Sequence, residues 1–395
     1  MIPWDIFVIV FLSILGGIIL FLRESCQNIF IVFPPRYRLE PITTKSQRRV
    51  RIILPTGGSG LVQDAEIYQT LIPNSYTIQV DRNSPDIHPE ANVEADVNLY
   101  LESVHARHSS FPAKEYWLMV NQEYFFLRYA EIVDVLIVKT RYAEKILSEY
   151  VKKLALPTRV VYLGHTSLPQ SIQTDKDWNL LVHFAGRSRQ KGTKQLIRMW
   201  QRRKGFRHLS PNSRLVITCR DVCLNKIIDE LRDVPYQDNG WFDPETGLTV
   251  YSRLGDEELA NLRCRAGAFI CPSIVEGYGH YINEGMASGA VVITSNFPPM
   301  NELVPPNRFL IPPEKVVESW EVMEPFGILE PYFIGKYLPN SQACFPNFEE
   351  LDKLLVEYFT LPDQDKQDIG QLNYQYYLER QAEFRYRLTK FLDEK

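Results

Sequence analysis

The residues best placed to do chemistry lie in one run in the last third of the chain, EGYGHYINEGMA, from Glu276 to Ala287. Two carboxylates, Glu276 and Glu284, flank a short segment that holds Gly277 and Gly279. An apolar stretch, AFICPSI, precedes the run, and Gly289 with a second apolar stretch, AVVITS, follows it. That order reads as strand, glycine loop, short helix, strand. Glycines let a backbone approach a ligand closely, and the first turn of the helix points free N–H groups and its positive dipole end into the loop. A phosphate suits that place. The carboxylates accept hydrogen bonds from hydroxyls, which sugars and riboses carry.

A second set of candidates is cationic. In LLVHFAGRSRQKGTKQLI a strand pattern runs into Gly186 and Arg187, and Lys191 and Gly192 open a helix. Basic residues at a helix start oppose its dipole, which argues for a role beyond solvation. Such a pair can hold a diphosphate and stabilise the charge that grows on it as it leaves. Nearer the N-terminus, LPTGGSGLVQDAEIY sets Gly57, Gly58 and Gly60 between a first strand and a first helix. The loop alone would also suit a dehydrogenase, but the spacing is not Gly-x-Gly-x-x-Gly.

At these residues the chain resembles the retaining GT-B glycosyltransferases of family 4, the glycosyl transferases group 1 type, whose signature is Glu, seven residues, Glu. Here the pair is Glu276 and Glu284, preceded by Pro272 and Ser273 and followed by Met286, Ala287, Ser288 and Gly289. The resemblance implies that Glu284 holds the ribose hydroxyls of a nucleoside diphosphate sugar. It implies that Glu276 and the backbone of Gly277, Tyr278 and Gly279 hold the donor sugar, and that Arg187, after Gly186, acts with Lys191 on the diphosphate. The interval from Arg187 to Lys191 is one residue shorter than the family's. Gly58 would face the donor across a cleft. The acceptor would attack on the face from which the diphosphate leaves, whose own oxygen takes the proton, so neither a protein nucleophile nor a metal is expected.

The loop after Leu101, ESVHARHSSFPAKEY, carries His105, Arg107 and His108. Family members often place a histidine or aspartate on such a loop near the reacting carbon, and either histidine could orient a hydroxyl; we take His105 as the candidate. A lone surface histidine more often does nothing of the kind. The next strand ends in Asn121, Gln122 and Glu123 where many relatives carry a His-Asp-like pair, which makes Glu123 a second-rank candidate. Two Asp-x-Asp triplets, at 175–177 and 363–365, read as solvated turns rather than metal sites. The basic cluster Arg198, Arg202, Arg203, Lys204, Arg207 and His208 suits a helix end with a favourable dipole, or an anionic surface. His280 stands where relatives carry a small or apolar residue, and the sequence gives no reason for it.

These groups need elements to hold them. From Arg49 onward, apolar strand-like runs alternate with amphipathic helical patterns, the form of a mostly parallel sheet covered by helices. One series runs from Val50 to Leu163 and a second begins at Leu180. The fold expected is α/β, of GT-B form: two Rossmann-like domains facing a cleft, at 48–168 for the acceptor and 169–362 for the nucleotide-sugar donor. A hinge is expected near 164–178. The stretch 363–395 is helical in pattern, with Tyr377, Phe384, Leu388 and Phe391 on one face, and by the resemblance could return to the first domain.

Residues 6–22 carry no charge and approach the roughly 20 residues needed to span hydrocarbon. The expectation is a transmembrane helix, an anchor over 1–24, followed by a linker over 25–47 that either rests on the membrane or packs on the first domain. No basic region precedes the apolar stretch, which weighs against a signal peptide. Basic residues from Arg23 to Arg51 lie only on its C-terminal side, so the large part should face the cytoplasm. A net charge of −4 and the lack of zinc-finger spacing, a Walker A loop or an RNA-binding signature weigh against nucleic acid as a partner. The expected function is transfer of a sugar, with retention, to a glycan, lipid or protein-linked acceptor. A GT-B protein that binds a nucleotide sugar or glycan without turnover, or a sugar phosphorylase, is the alternative.

Overall fold

Strands that are apolar at successive positions, not alternate ones, must be buried on both faces, and the sheets are built from such strands. The structure, a computed structural model, describes residues 39–55, 59–80, 94–104, 111–169, 176–306, 308–323, 338 and 340–394. The expected anchor at 6–22 lies outside them. Among the described residues no helix is long and apolar enough to cross a membrane.

The first half comprises β1 (Val50–Pro55), α1 (Ser59–Leu71), β2 (Ser75–Val80), β3 (Ala95–Leu101), β4 (Ala113–Met119), α2 (Tyr129–Ile132), β5 (Val135–Val138), α3 (Arg141–Lys153) and β6 (Arg159–Tyr162). Its six strands pair in parallel in the order β2-β1-β3-β4-β5-β6. Ile52 and Leu54 of β1 enter one apolar cluster and Ile53 the other, so each face of the sheet has its own core. Helix α3 shows how local chemistry sets the covering elements: Thr140 caps its first turn by accepting from the Ala143 N–H, and Lys152 and Lys153 close its last. Of the expected linker, residues 39–47 pack here, with Leu39 and Ile42 buried in the same core as Ile52.

The second half comprises β7 (Asp177–Gly186), α4 (Thr193–Arg202), β8 (Arg214–Cys219), α5 (Asp221–Ile227), β9 (Tyr236–Gln237), β10 (Gly240–Asp243), β11 (Leu248–Tyr251), α6 (Asp256–Arg265), β12 (Ala266–Cys271), α7 (His280–Ala287), β13 (Val291–Ser295), β14 (Leu310–Ile311), β15 (Pro313–Glu318), α8 (Ser319–Met323), β16 (Gln342–Pro346) and α9 (Phe348–Thr360). Its main sheet runs β14-β13-β12-β7-β8-β11-β10-β9, parallel but for the β9-β10-β11 edge, and β15 and β16 form a separate antiparallel pair. The sequence reading missed β9, β10, β15 and β16, which lie at a sheet edge or outside it. Cys219, Cys223, Cys264, Cys271 and Cys344 are buried.

One helix, α10 (Asp363–Asp393), belongs to both halves. It starts on the second, where Gly370 lets it approach so closely that a Cβ there would lie 2.2 Å from the Gly289 carbonyl oxygen and where Asn373 donates to the Ala290 carbonyl at 2.8 Å. Its later turns put Phe384, Leu388, Phe391 and Leu392 into the core of the first half. Between them Tyr377 donates to the Ser167 carbonyl at 3.0 Å, on the chain segment that joins the two sheets.

Phe384 is 1% exposed and edges onto both Tyr68 and His165. Phe384→Ala should therefore cost ~3–5 kcal/mol in urea unfolding, a cavity cost that the surface has no means to relieve. Tyr386→Ala on the exposed face of the same helix should stay within about 0.5 kcal/mol of the parent.

Candidate active site

Strands β7 and β12 are neighbours in the second sheet, so the loops after them emerge side by side at the same sheet edge. This brings the two sequence motifs together. After β12, Ser273 donates to Glu276 Oε1 at 2.5 Å and fixes the first carboxylate. Gly279, with φ of +87°, turns the chain into α7 in a conformation that side chains resist, and it serves as the residue before the first turn. Glu284 lies on the second turn and is 3% exposed. Burial alone would raise its pKa, but the Arg263 guanidinium, 3.2 Å away, and the Gln63 amide, which donates to Oε1 at 2.8 Å, outweigh it and hold the carboxyl below its ordinary value.

After β7, Gly186 also has positive φ, and Arg187 follows it on the exposed side. Lys191 turns inward: its Nζ donates to the Phe184 carbonyl at 3.2 Å and sits 3.8 Å from the centre of the Tyr281 ring. Tyr281 is the second residue of α7, so a cation from one motif rests on the first turn of the helix that carries the other. Gly192 makes this approach possible, since a Cβ there would lie 2.7 Å from the Pro272 carbonyl oxygen. Beneath it His183 bridges the Ile270 carbonyl and the Thr193 hydroxyl; burial pushes its pKa down to about 4, so it is a neutral strut.

The first half closes over this loop with the segment after β4. Gln122 donates to the Glu276 carbonyl at 2.5 Å, and Asn121 packs so tightly on Gly277 that a Cβ there would lie 2.6 Å from the Asn121 amide oxygen. Gln190 donates to the Tyr124 hydroxyl at 3.3 Å from the other side. Glu123 is 5% exposed and its Oε2 has no partner among the described residues. Burial, with the like charges of Glu276 and Glu102, pushes its pKa up to about 8, so near neutral pH it is mainly a carboxylic acid.

A second contact joins α1 to α7. Asp64, next to Gln63, is 1% exposed and accepts from His165 Nε2 at 2.5 Å, from His280 Nε2 at 2.9 Å and from Lys139 Nζ at 3.4 Å. Burial works to raise its pKa, and Lys139 with the two rings overcomes it, leaving Asp64 well below the carboxylate range. His165 is neutral, pushed down to about 4 by burial. Nδ1 of His280 lies 3.1 Å from the Ser167 hydroxyl. The histidine without a rationale in the sequence thus ties the start of α7 to the first half and to the joining segment.

Asp64, His165 and His280 are also a group of described residues able to present three metal-ligand atoms, all within 4.8 Å of one another. Lys139 already neutralises the carboxylate, and a cation among them would lie beside a buried ammonium. Of the two Asp-x-Asp triplets, expected in turns, Asp177 opens β7 and pairs with Arg214, and Asp363 opens α10 and pairs with Lys366; Asp175 is not described. In the basic cluster Arg198 pairs with Glu230 and Arg203 with Asp352. Gly58 and His105 lie outside the described residues. The sequence reading missed Gln63, Asp64, Lys139, His165, His183 and Arg263; Gln63, Asp64 and His183 lie within the two glycine-containing runs already singled out, but as polar residues between the glycines and cations that drew attention, and the other three have no motif around them.

The raised pKa of Glu123 has a signed consequence. Between the unfolded value near 4.5 and about 8 the folded state holds a proton that the unfolded chain has released, so this residue withdraws stability as pH rises through that window. Glu123→Gln should melt at nearly the parent's temperature at pH 4–5, and its advantage should grow up to about pH 8 and then level off. A constant difference across the range would refute the buried acid.

Residues 164–322 match the family model for glycosyl transferases group 1. No curated protein matches by sequence. Among solved structures, a trehalose-6-phosphate synthase described for glycosyltransfer with retention is similar at TM-score 0.54 and 10% identity, covering 88% of this chain and 99% of that one. The E. coli trehalose-6-phosphate structure bound with UDP-2-fluoro glucose gives 0.52 and 8%, with the same coverage. The pneumococcal O-GlcNAc transferase GtfA, in complex with UDP and GlcNAc, gives 0.51 and 14%, covering 75% of this chain; the present chain spans only 56% of its length. These likenesses establish the fold as GT-B, and within it residues 164–322 are similar to the glycosyl transferases group 1 family.

Proposed function

We propose that this chain transfers a sugar from a nucleoside diphosphate sugar to a glycan, lipid or protein-linked acceptor, with retention at the anomeric carbon. The observation that carries the reading is the placement of Lys191 on the first turn of α7, one turn from the buried, ionised Glu284 and beside the loop of Glu276. A cation and two carboxylates at one helix start match the two ends of such a donor. Glu284 takes ribose hydroxyls. Glu276 and the amides of Gly277, Tyr278 and Gly279 take the sugar. Arg187 and Lys191 neutralise the diphosphate as the bond to the anomeric carbon breaks.

The acceptor hydroxyl then forms its bond on the same face, and its proton passes to an oxygen of the departing diphosphate. With cations fixed in the protein, the reaction as proposed needs no metal. Contacts of Gln122 and Asn121 with the loop of Glu276 support a closed state that keeps water, the competing acceptor, away from the reacting carbon. A protein that binds the donor without turnover draws on the same contacts, since a closed loop leaves less room for an acceptor. Residues 6–22 are proposed as a membrane anchor with the remainder in the cytoplasm.

The test is release of nucleoside diphosphate by the full chain from a panel of nucleoside diphosphate sugars, with a chelator present. One donor should be hydrolysed slowly, and Glu284→Ala and Lys191→Ala should each lower the rate by about 100-fold or more. Binding without turnover, even with acceptors supplied, would favour the non-catalytic reading, and activity only after metal is restored would overturn the metal-free scheme. In sealed cytoplasm-side-out vesicles, added protease should digest residues 48–395; protection would reverse the proposed orientation.

A further inference from the structure

Gln63 is half-buried on α1, and its two amide atoms meet different fates. Nε2 donates to Glu284 Oε1 at 2.8 Å, while Oε1 is shut off from solvent and, among the described residues, receives no hydrogen bond. The orientation of the amide is forced, because a carboxylate only accepts and the amide must turn its N–H₂ toward it. Its carbonyl is therefore a second buried acceptor beside Glu284, and this one is unfilled. Glu284 accepts from Gln63 on Oε1, and its Oε2 lies 3.2 Å from Arg263 Nε as an ion pair; a carboxylate offers about four acceptor sites.

The pair is held in place from one turn away. His280 and Glu284 lie four residues apart on one face of α7, and Gln63 and Asp64 are adjacent on α1, so the Asp64–His280 contact pins the same two helices that the Gln63–Glu284 contact joins. A Cβ at Gly60, one turn before Asp64, would lie 3.6 Å from the His280 ring, so the helices are already at contact distance.

We infer that Gln63 is a donor-binding residue contributed by the first half. It takes one hydroxyl of the ribose diol on its carbonyl oxygen while Glu284 takes the neighbouring one. This rests on the proposed donor reading and deepens it: recognition of the nucleotide is shared across the two halves, and closing them completes the diol site. Two acceptors side by side select a vicinal diol, so the donor is a ribonucleotide and not its deoxy form.

The experiment measures binding of UDP, GDP and ADP to the full chain by calorimetry, followed by the 2′-deoxy and 3′-deoxy forms of the tightest. The parent should lose about 5- to 10-fold in affinity for one missing hydroxyl and more for the other, which faces the charged Glu284. In Gln63→Ala the smaller penalty should vanish and the larger persist. Gln63→Leu, of similar reach without an acceptor, should behave alike, and equal melting temperatures would show that neither change acts through folding. Both penalties surviving in the two variants would overturn the role of Gln63. So would tighter binding of the ribonucleotide, which would make Gln63 a plug over Glu284. Failure of every diphosphate to bind the parent would instead overturn the donor reading, and this inference with it.

Discussion

A carboxylate that is almost wholly out of water has to be surrounded by donors, and Asp64 obtains them from three separate parts of the chain. Lys139 follows β5, His165 follows β6, and His280 opens α7 in the other half. Leaving such a charge with one partner fewer costs several kcal/mol, about 3–5 for a buried pair broken on one side. The cluster therefore specifies geometry more than it adds net stability. It fixes where α7 begins relative to the first sheet, and α7 carries Glu284 and follows directly on the loop of Glu276. The site inherits its alignment from a contact that takes no part in the chemistry.

The other constraint is α10, whose residues are divided between the two cores. Its close crossing over the Gly289 carbonyl needs a residue without a side chain at Gly370, and its aromatic face needs the space lined by Tyr68, His165 and Trp117. Apolar burial is non-directional, so it can hold two halves together while leaving their mutual angle to the directional bonds around Asp64. Between the two kinds of contact, the segment at Thr166 and Ser167 is tied to α10 by Tyr377 and Gln381 and to α7 by Ser167 and His280. Any movement of one half against the other must work through this segment.

The chemistry itself is assembled by sheet order. In a parallel sheet the loops after adjacent strands face the same way, so the Arg187–Lys191 and Glu276–Glu284 segments meet although some ninety residues of chain separate them. The first half adds what a single Rossmann-like unit lacks: a cover over the loop from Asn121, Gln122 and Glu123, and an amide from Gln63 on the carboxylate.

Much of this was written locally in the sequence. Strands β1, β5, β7, β12 and β13 are legible because burial on both faces demands unbroken apolar runs, and the glycine loop of 276–279 is legible because few other residues tolerate its backbone. The long last helix shows its buried face at the proper period. What the sequence could not express was partnership at a distance. Asp64 and Gln63 look like the polar face of an amphipathic helix, Arg263 like the solvated end of another, and Lys139 and His165 like ordinary residues at strand ends. His280 stood out only as a misfit, since its partner Asp64 is 216 positions away. Sequence periodicity reports whether a side chain faces a core or water. Only the tertiary fold decides which buried polar atoms satisfy one another, because that depends on distances between elements that no local pattern encodes.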